Sequence, residues 1–223
     1  MNIQPIAKIY TQFKEKFGIP RQSGRGKNLI GKIVFEPKFR TNDAIRGIEG
    51  FSHLWLIFDF SENHRENFSA TVRPPRLGGN KRVGVFASRS PFRPNNLGLS
   101  SVKLISVENS NDGPILIVEG VDLLNETPIY DIKPYLLSDC HVDAKFGYSE
   151  IDHRLKVEID ECVILPPQNI LESIISCIEE DPRPSYQDDE ERIYVMPFDD
   201  YEISFKVSNG VATIIKIITV GKG

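Results

Sequence analysis

Basic residues are the side chains of this sequence whose types and spacing most readily predict chemistry, because arginine and lysine bind anions. Residues 71 to 107 contain no Asp or Glu, although the whole chain has a formal net charge of -4 at pH 7. The basic residues of this stretch are Arg73, Arg76, Lys81, Arg82, Arg89, Arg93 and Lys103. A basic region in an acidic chain predicts an anionic partner, with a solvated surface loop as the alternative.

Proline and glycine bracket these arginines on both sides of the apolar run VGVF. The residues concerned are Pro74, Pro75, Gly78, Gly79, Pro91, Pro94 and Gly98. Proline fixes the backbone φ angle, and glycine reaches angles that other residues avoid. We therefore expect stiff loops between short strands, which hold Arg89 and Arg93 in defined positions.

Apolar segments on either side of the basic stretch predict strands. Residues 51 to 60, FSHLWLIFDF, are almost continuously apolar, which predicts a strand buried on both faces. Within it, His53 is expected to be a hydrogen-bonded core residue rather than a catalyst. Residues 114 to 124, PILIVEGVDLL, predict a second strand, in which Asp122 must be paired, hydrogen-bonded or turned to solvent.

The composition changes near residue 147. Residues 149 to 202 hold 16 of the 31 acidic residues and only four basic ones. Helical spacing within this acidic part is shown by Leu171, Ile174, Ile175 and Ile178. Asn209 and Gly210 separate two apolar runs, as in a β-hairpin.

Strand-like runs are numerous, whereas the pattern predicts one helix. We therefore predict a mainly β protein, with a β-barrel-like N-terminal domain and a small α+β C-terminal appendage. The predicted boundaries are 1–147 for the barrel domain and 148–223 for the small acidic domain.

The general features of the sequence favour a folded protein of the cytoplasm. The chain has 223 residues, of which 40% are hydrophobic. The N-terminal residues lack the apolar core of a signal peptide, and no run approaches the length of a membrane helix. The three cysteines show no spacing typical of a metal site, so we expect no metal and a reducing compartment.

The common catalytic motifs are absent from the sequence. It contains no G-x-S-x-G, H-E-x-x-H, C-x-x-C or P-loop. Gly24 and Gly26 form a G-x-G, but the third glycine of a dinucleotide fingerprint is missing and no strand precedes the pair. These absences disfavour hydrolase, zinc and Rossmann chemistry.

Several sequence blocks resemble those of the TrmO family, the S-adenosylmethionine-dependent tRNA methyltransferases. The blocks are PRQSG, GIEGFSHLWLIF, VRPPRLGGN, GVFASRSPFRPN, GVDLLNETP, YDIKPYL and DPRPSY. They occur in the family's order and spacing and cover most of the chain. The resemblance implies a β-barrel fold, a homodimer, and methyl transfer to the N6 nitrogen of N6-threonylcarbamoyladenosine beside the tRNA anticodon.

The resemblance also implies site residues. For S-adenosylmethionine they are Pro20, Arg21, Gln22, Ser61, Glu62, Arg89, Leu99, Val121, Asp122, Leu123 and Leu124. For tRNA we expect basic residues on phosphates. Arg183 and Tyr186 of DPRPSY are expected either near a base or in a rigid loop between two elements. The expected tRNA residues are therefore Arg73, Arg76, Lys81, Arg82, Arg93, Arg183 and Tyr186. The resemblance names no catalytic acid or base, which methyl transfer from an electrophilic sulfonium does not strictly require.

Two other classes of protein use similar residues. A non-catalytic barrel that binds RNA or a nucleotide needs the basic loops but no cofactor pocket. A hydrolase or a different transferase acting on a phosphorylated metabolite would use Arg89 and Arg93 without binding S-adenosylmethionine.

Overall fold

The structure is a computed structural model that describes residues 3–64, 67, 69–74, 77, 81–150, 154–184 and 189–221. Most of the regular structure is β. The strands are β1 (Ala7–Tyr10), β2 (Ile30–Phe35), β3 (His53–Asp59), β4 (Thr71–Val72), β5 (Val83–Gly84), β6 (Leu97–Ser110), β7 (Gly113–Glu119), β8 (Thr127–Pro134), β9 (Lys156–Ile159), β10 (Tyr194–Phe198), β11 (Tyr201–Ser208) and β12 (Val211–Thr219). The helix α1 spans Gln168–Glu179, and short 3-10 turns occupy several loops.

Six strands close into a barrel in the order β1-β2-β7-β6-β3-β8, and β8 pairs with β1. Alternate residues of each strand point inward, as the two-residue period of a strand requires. The inner side chains, such as Ile9, Ile33, Leu54 and Leu116, are fully buried. This arrangement confirms the predicted mainly β class with a barrel at its N-terminal side.

The predicted burial of residues 51 to 60 on both faces is wrong. Leu54, Leu56 and Phe58 face the core, whereas the alternate residues are partly exposed, because a barrel strand has only one inner face. His53 is exposed, and its Nδ1 lies 3.0 Å from Ser52 Oγ, so it is not a core residue.

The second predicted strand, residues 114 to 124, ends earlier than expected. Strand β7 stops at Glu119, and Gly120 turns the chain with a φ of +82°. A Cβ at Gly120 would lie 3.1 Å from the backbone of Gly24, whose N–H donates to the Gly120 carbonyl at 2.8 Å. The sequence VDLL is therefore a loop, held against the loop before β2.

The C-terminal part is a four-stranded sheet of order β10-β11-β12-β9 with α1 beside it. The helix buries Leu171, Ile174 and Ile178, as their spacing predicts. The turn between β11 and β12 contains Asn209 and Gly210, both with positive φ, as the predicted hairpin requires.

The sheet and the barrel share one hydrophobic core. Phe13 packs edge to face on Phe198, with ring centroids 5.7 Å apart, and Phe17 stacks on Phe205 at 6.5 Å. The linker between β1 and β2 therefore connects the two parts. Among the described residues, no helix is long and apolar enough to cross a membrane.

Candidate active site

A cavity of about 1030 Å³ lies where β3 ends and β6 begins. Its walls also include the loop before β2, the loops around β4 and β5, and the loop after β7. Ten residues predicted to bind the cofactor line it, namely Pro20, Arg21, Gln22, Ser61, Glu62, Arg89, Leu99, Asp122, Leu123 and Leu124. The structure thus brings together segments that are up to a hundred residues apart in the sequence.

Arg89 and Gln22 join two of these segments directly. Arg89 Nη1 donates a hydrogen bond to Gln22 Oε1 at 2.7 Å. Because Arg89 has several N–H donors, this bond orients the guanidinium and leaves other donors for a ligand. An anion in the cavity would therefore meet a positioned cation.

Arg93 shapes the loop that carries Arg89. Its Nη1 donates to the carbonyl oxygens of Ser88 at 2.7 Å and Ser90 at 3.4 Å. The Ser88 hydroxyl in turn donates to the Val85 carbonyl at 2.8 Å. Arg93 lines the cavity, but the structure shows it mainly as the residue that closes this loop.

Asp122 places a carboxyl group in the cavity wall, and its Oδ1 is buried without a hydrogen-bond partner among the described residues. Burial raises the pKa of Asp122 to about 6, although the Ser100 hydroxyl, backbone N–H groups and the charge of Arg89 oppose that shift. A buried acceptor without a partner at a cavity surface is suited to a ligand that donates hydrogen bonds or carries positive charge.

Val121 is the one predicted cofactor residue that does not line the cavity. Its side chain is fully buried in the barrel core, where one methyl lies 2.8 Å from the position that a Cβ on Gly31 would occupy. It precedes Asp122 in an extended loop, so the two side chains point in opposite directions. Val121 anchors the loop, and its neighbours face the cavity.

The acidic C-terminal part holds the loop before β2. Arg25 pairs with Glu180, Asn28 Nδ2 donates to Glu172 Oε2 at 2.7 Å, and Arg21 Nη2 donates to the Asp181 carbonyl at 3.2 Å. This loop also carries Pro20 and Gln22. The acidic residues around α1 therefore position a segment of the cavity wall.

The residues predicted to contact tRNA have different environments. Arg73, Arg82 and Arg93 line the cavity, whereas Lys81 is exposed outside it. Arg183 is bound by Asp181, with Nε 2.7 Å from Oδ1, and lies over the ring of Tyr194 at 5.9 Å. Arg76 and Tyr186 lie outside the described residues.

Asp59, which lines the cavity, and its partner His64 are features that the sequence did not reveal. Asp59, the last residue of β3, lines the cavity, and its Oδ1 lies 2.8 Å from His64 Nε2. The 3-10 turn Ser61–Asn63 brings His64 back to the strand end. The only signal in the sequence was a charged residue that interrupts the apolar run.

Metal-binding side chains do not cluster in the part of the chain that the structure describes. There, no group of three or more His, Cys, Asp or Glu residues is arranged to hold an ion. Cys140 and Cys162 are exposed free thiols, and Cys177 is buried.

A closed barrel with a large cavity at the ends of its strands is typical of β-barrels that bind small molecules. Comparison with known proteins identifies the family. Residues 8–140 match the model of the tRNA-methyltransferase O N-terminal domain, and residues 153–220 match that of the TrmO C-terminal domain. The chain belongs to the tRNA-methyltransferase O family.

Curated relatives of the chain have names that state an activity. A "tRNA (adenine(37)-N6)-methyltransferase" of Escherichia coli (strain K12) is 37% identical over 219 residues, which cover 92% of this chain and 93% of that protein. A protein of the same name from Eikenella corrodens is 44% identical over 176 residues, which cover 76% of this chain and 98% of that one.

Solved structures share the fold. A crystal structure of TrmO from Pseudomonas aeruginosa has a TM-score of 0.76 and 28% identity, and the match covers 98% of each chain. A further crystal structure described as TrmO has a TM-score of 0.77 and 28% identity, covering 97% of this chain and 98% of that chain.

Proposed function

We propose that this protein is an enzyme that transfers a methyl group from S-adenosylmethionine to the N6 nitrogen of adenosine 37 in tRNA. The observation that carries the proposal is the meeting of three distant blocks, around Gln22, Arg89 and Asp122, at one cavity. The names of the curated relatives support the same reaction. The non-catalytic barrel considered above is not favoured, because it has no need of such a cavity.

The residues present fit S-adenosylmethionine. Arg89 offers a positioned cation for the carboxylate of the cofactor, and the partnerless Oδ1 of Asp122 offers an acceptor for its amino or hydroxyl groups. Leu99, which is 48% exposed, offers an apolar surface for the adenine. When bound, the cofactor supplies an electrophilic methyl group on a sulfonium.

The cavity walls contribute alignment and exclusion of water. A volume of about 1030 Å³ is just above the roughly 300–1,000 Å³ of small-molecule sites, so a nucleobase fits beside a cofactor. Apolar side chains such as Phe58, Leu97 and Leu123 line the space. Alignment of reacting atoms in a dry pocket is the main contribution that a protein makes to such a transfer.

The proposed form of the substrate is N6-threonylcarbamoyladenosine. Its threonyl carboxylate is an anion, and Arg73 and Arg82 line the same cavity as the proposed cofactor residues. A guanidinium binds a carboxylate with two parallel hydrogen bonds. Lys81, which is exposed outside the cavity, and the exposed Arg82 would neutralise tRNA phosphates.

Domain organisation and assembly are part of the proposal. We place a barrel domain at 1–147 and a small acidic domain at 148–223, in keeping with the change in composition near residue 147.

We also propose that the protein is a homodimer and that it functions in the cytoplasm. Leu137 is 92% and Val142 96% exposed, which supports a partner for this segment. The closed barrel removes strand edges as a reason for dimerisation.

The proposal is tested by methyl incorporation from labelled S-adenosylmethionine into two tRNA pools. One pool carries N6-threonylcarbamoyladenosine, and the other comes from cells unable to make it. We expect label in the first pool only. Label in both pools would overturn the proposed form of the substrate, and label in neither, with tRNA still bound, would overturn the enzyme itself.

A further inference from the structure

Asp59 is a carboxylate inside the cavity to which neither the cofactor nor the tRNA assignment gives a role. It is 9% exposed, and in the antiparallel pair of β3 and β6 it lies opposite Leu97. Leu99, two residues further along β6, is therefore on the same face, at the diagonal distance of about 7–8 Å. Asp59 is thus adjacent to the proposed cofactor contact, on an apolar part of the wall.

The two oxygens of this carboxylate have different environments. Oδ1 is held by His64 Nε2 at 2.8 Å. Oδ2 has no hydrogen-bond partner among the residues that the structure describes, and Asp59 lines the cavity. The carboxylate is therefore fixed through one oxygen, and the other is available to accept a proton.

The proposed reaction needs such an acceptor, because the target N6 carries a hydrogen and is conjugated to a carbonyl group. Its lone pair is delocalised, so it becomes a good nucleophile only as the N–H proton leaves. We propose that Asp59 is the general base of this reaction and that His64 is the residue that positions it. This inference rests on the proposed function.

The step balances in atoms and charge. The N6–H bond breaks and its proton goes to Asp59 Oδ2, while the N6–carbon bond forms and the sulfur–carbon bond breaks. The electron pair of the breaking sulfur–carbon bond stays on sulfur, which loses its positive charge. The proton then leaves to water, to which the side chain of the neighbouring His64 is exposed.

The other described carboxylates of the cavity are less suited to this role. Asp122 lies beside Arg89 and Ser100, on the side assigned to the cofactor. Glu62 is exposed, and its carbonyl accepts a hydrogen bond from Lys16 Nζ at 3.1 Å. Asp59 is shielded by apolar neighbours, is fixed by a donor and has no role assigned in cofactor binding.

The titratable groups that face Asp59 are few. His64 faces it from the following turn, Tyr130 faces it from β8, and β6 presents the apolar Leu97. Burial, and then the charge of Asp59, raise the pKa of Tyr130, so this phenol stays neutral at physiological pH. Within 4.0 Å, the described chain offers His64 alone as an ion-pair partner of the Asp59 carboxylate.

The first test is Asp59→Asn, which keeps the shape but cannot take the proton. We expect kcat to fall at least about 100-fold, the usual contribution of a general base. The dissociation constants for S-adenosylmethionine, by calorimetry, and for tRNA, by filter binding, should stay within about twofold of wild type. The matched control is Asp112→Asn, an exposed carboxylate in the β6–β7 turn, which should be fully active.

The second test separates positioning by His64 from a structural role. His64→Ala removes the donor and should lower kcat about tenfold with KM unchanged, whereas His64→Gln, which keeps an N–H, should restore most of it. His141→Gln, at an exposed histidine, is the control. Full activity of Asp59→Asn, or equal losses in His64→Ala and His64→Gln, would overturn the inference. An inactive wild type that still binds both ligands would instead overturn the proposed function.

Discussion

Arg89 Nη1 donates to Gln22 Oε1 at 2.7 Å and so joins two loops that are 67 residues apart in the sequence. One loop is closed by Arg93, and the other is held by the acidic residues around α1. Both loops must be correctly placed for the guanidinium to point into the cavity. The two halves of the chain therefore contribute to one binding site.

Removal of the Arg89 guanidinium should weaken cofactor binding. Arg89→Ala is expected to raise the dissociation constant for S-adenosylmethionine about 10- to 100-fold, since charge-assisted hydrogen bonds contribute roughly 1.5–3 kcal/mol. Gln22→Ala removes only the hydrogen bond that orients Arg89, so it should raise this dissociation constant less. Calorimetry measures both, with the exposed Arg46→Ala as control. A pure phosphate contact would instead leave cofactor affinity intact and weaken tRNA binding.

Cofactor binding should depend on pH through Asp122, whose pKa is raised to about 6 by burial. Above that pH the carboxylate is charged and attracts the positive groups of S-adenosylmethionine. With a pKa of about 6, roughly nine-tenths of the carboxyl groups are charged at pH 7 and roughly one-tenth at pH 5, so affinity should fall about tenfold between these values. Asp122→Asn should bind S-adenosylmethionine weakly at both pH values. If Asp122→Asn kept the pH dependence of the wild type, the assignment of Asp122 to cofactor binding would be wrong.

The same pKa shift predicts an effect on stability, with the opposite sign to that of an ion-paired aspartate. The folded-state pKa lies above the ordinary value of 3.8, so the folded state binds the proton more tightly than the unfolded state. The free energy of unfolding is then highest below pH 3.8 for this group and decreases as pH rises through 6. Asp122→Asn should accordingly stabilise the protein at pH 8, by about 1–2 kcal/mol in urea denaturation.

Gly98 allows Phe58 to form part of the cavity wall. A Cβ on Gly98 would lie 2.2 Å from the Phe58 ring, so Gly98→Ala should destabilise the protein by about 1–3 kcal/mol. Phe58→Leu in the same chain should recover part of this loss, because the smaller side chain makes room. Gly50→Ala, where nothing lies within 4 Å, is the matched control. Equal melting temperatures for Gly98→Ala and Gly50→Ala would contradict the packing described.

The cavity arginines should contribute differently to tRNA binding. If Arg82 contacts a phosphate, Arg82→Ala reduces the slope of log affinity against log salt by about one. If Arg73 binds the threonyl carboxylate, Arg73→Ala weakens the binding of tRNA that carries the modification and leaves the binding of unmodified tRNA unchanged. Filter binding over a salt series distinguishes these effects, with Lys216→Ala in the C-terminal sheet as control. Equal losses of affinity for both tRNAs in Arg73→Ala would instead indicate that Arg73 contacts the phosphate backbone of tRNA.

Local patterns predicted the elements whose conformation depends on nearby residues. Helix α1 follows from apolar spacing between prolines, and the hairpin of β11 and β12 follows from Asn209 and Gly210. The mainly β class follows from the number of short apolar runs. Each of these features is decided within about ten residues of the chain.

Long-range relationships could not be predicted in the same way. Apolar content predicted burial of residues 51 to 60 on both faces, but barrel closure leaves one face outside. The Asp59–His64 bond depends on a 3-10 turn that no strong signal marks. The role of Arg93 depends on where three carbonyl groups point. Such contacts follow from the folded backbone rather than from residue type.

The most direct test of the central claim is nucleoside mass spectrometry of tRNA after reaction with the purified protein and S-adenosylmethionine. The account predicts one added methyl group, located by nuclease mapping at N6 of the nucleoside at position 37, and a lower yield with Arg89→Ala when S-adenosylmethionine is below saturation for that variant. A methyl group on another nucleoside or on a ribose, or no methyl group from a wild-type protein that binds both ligands, would contradict it.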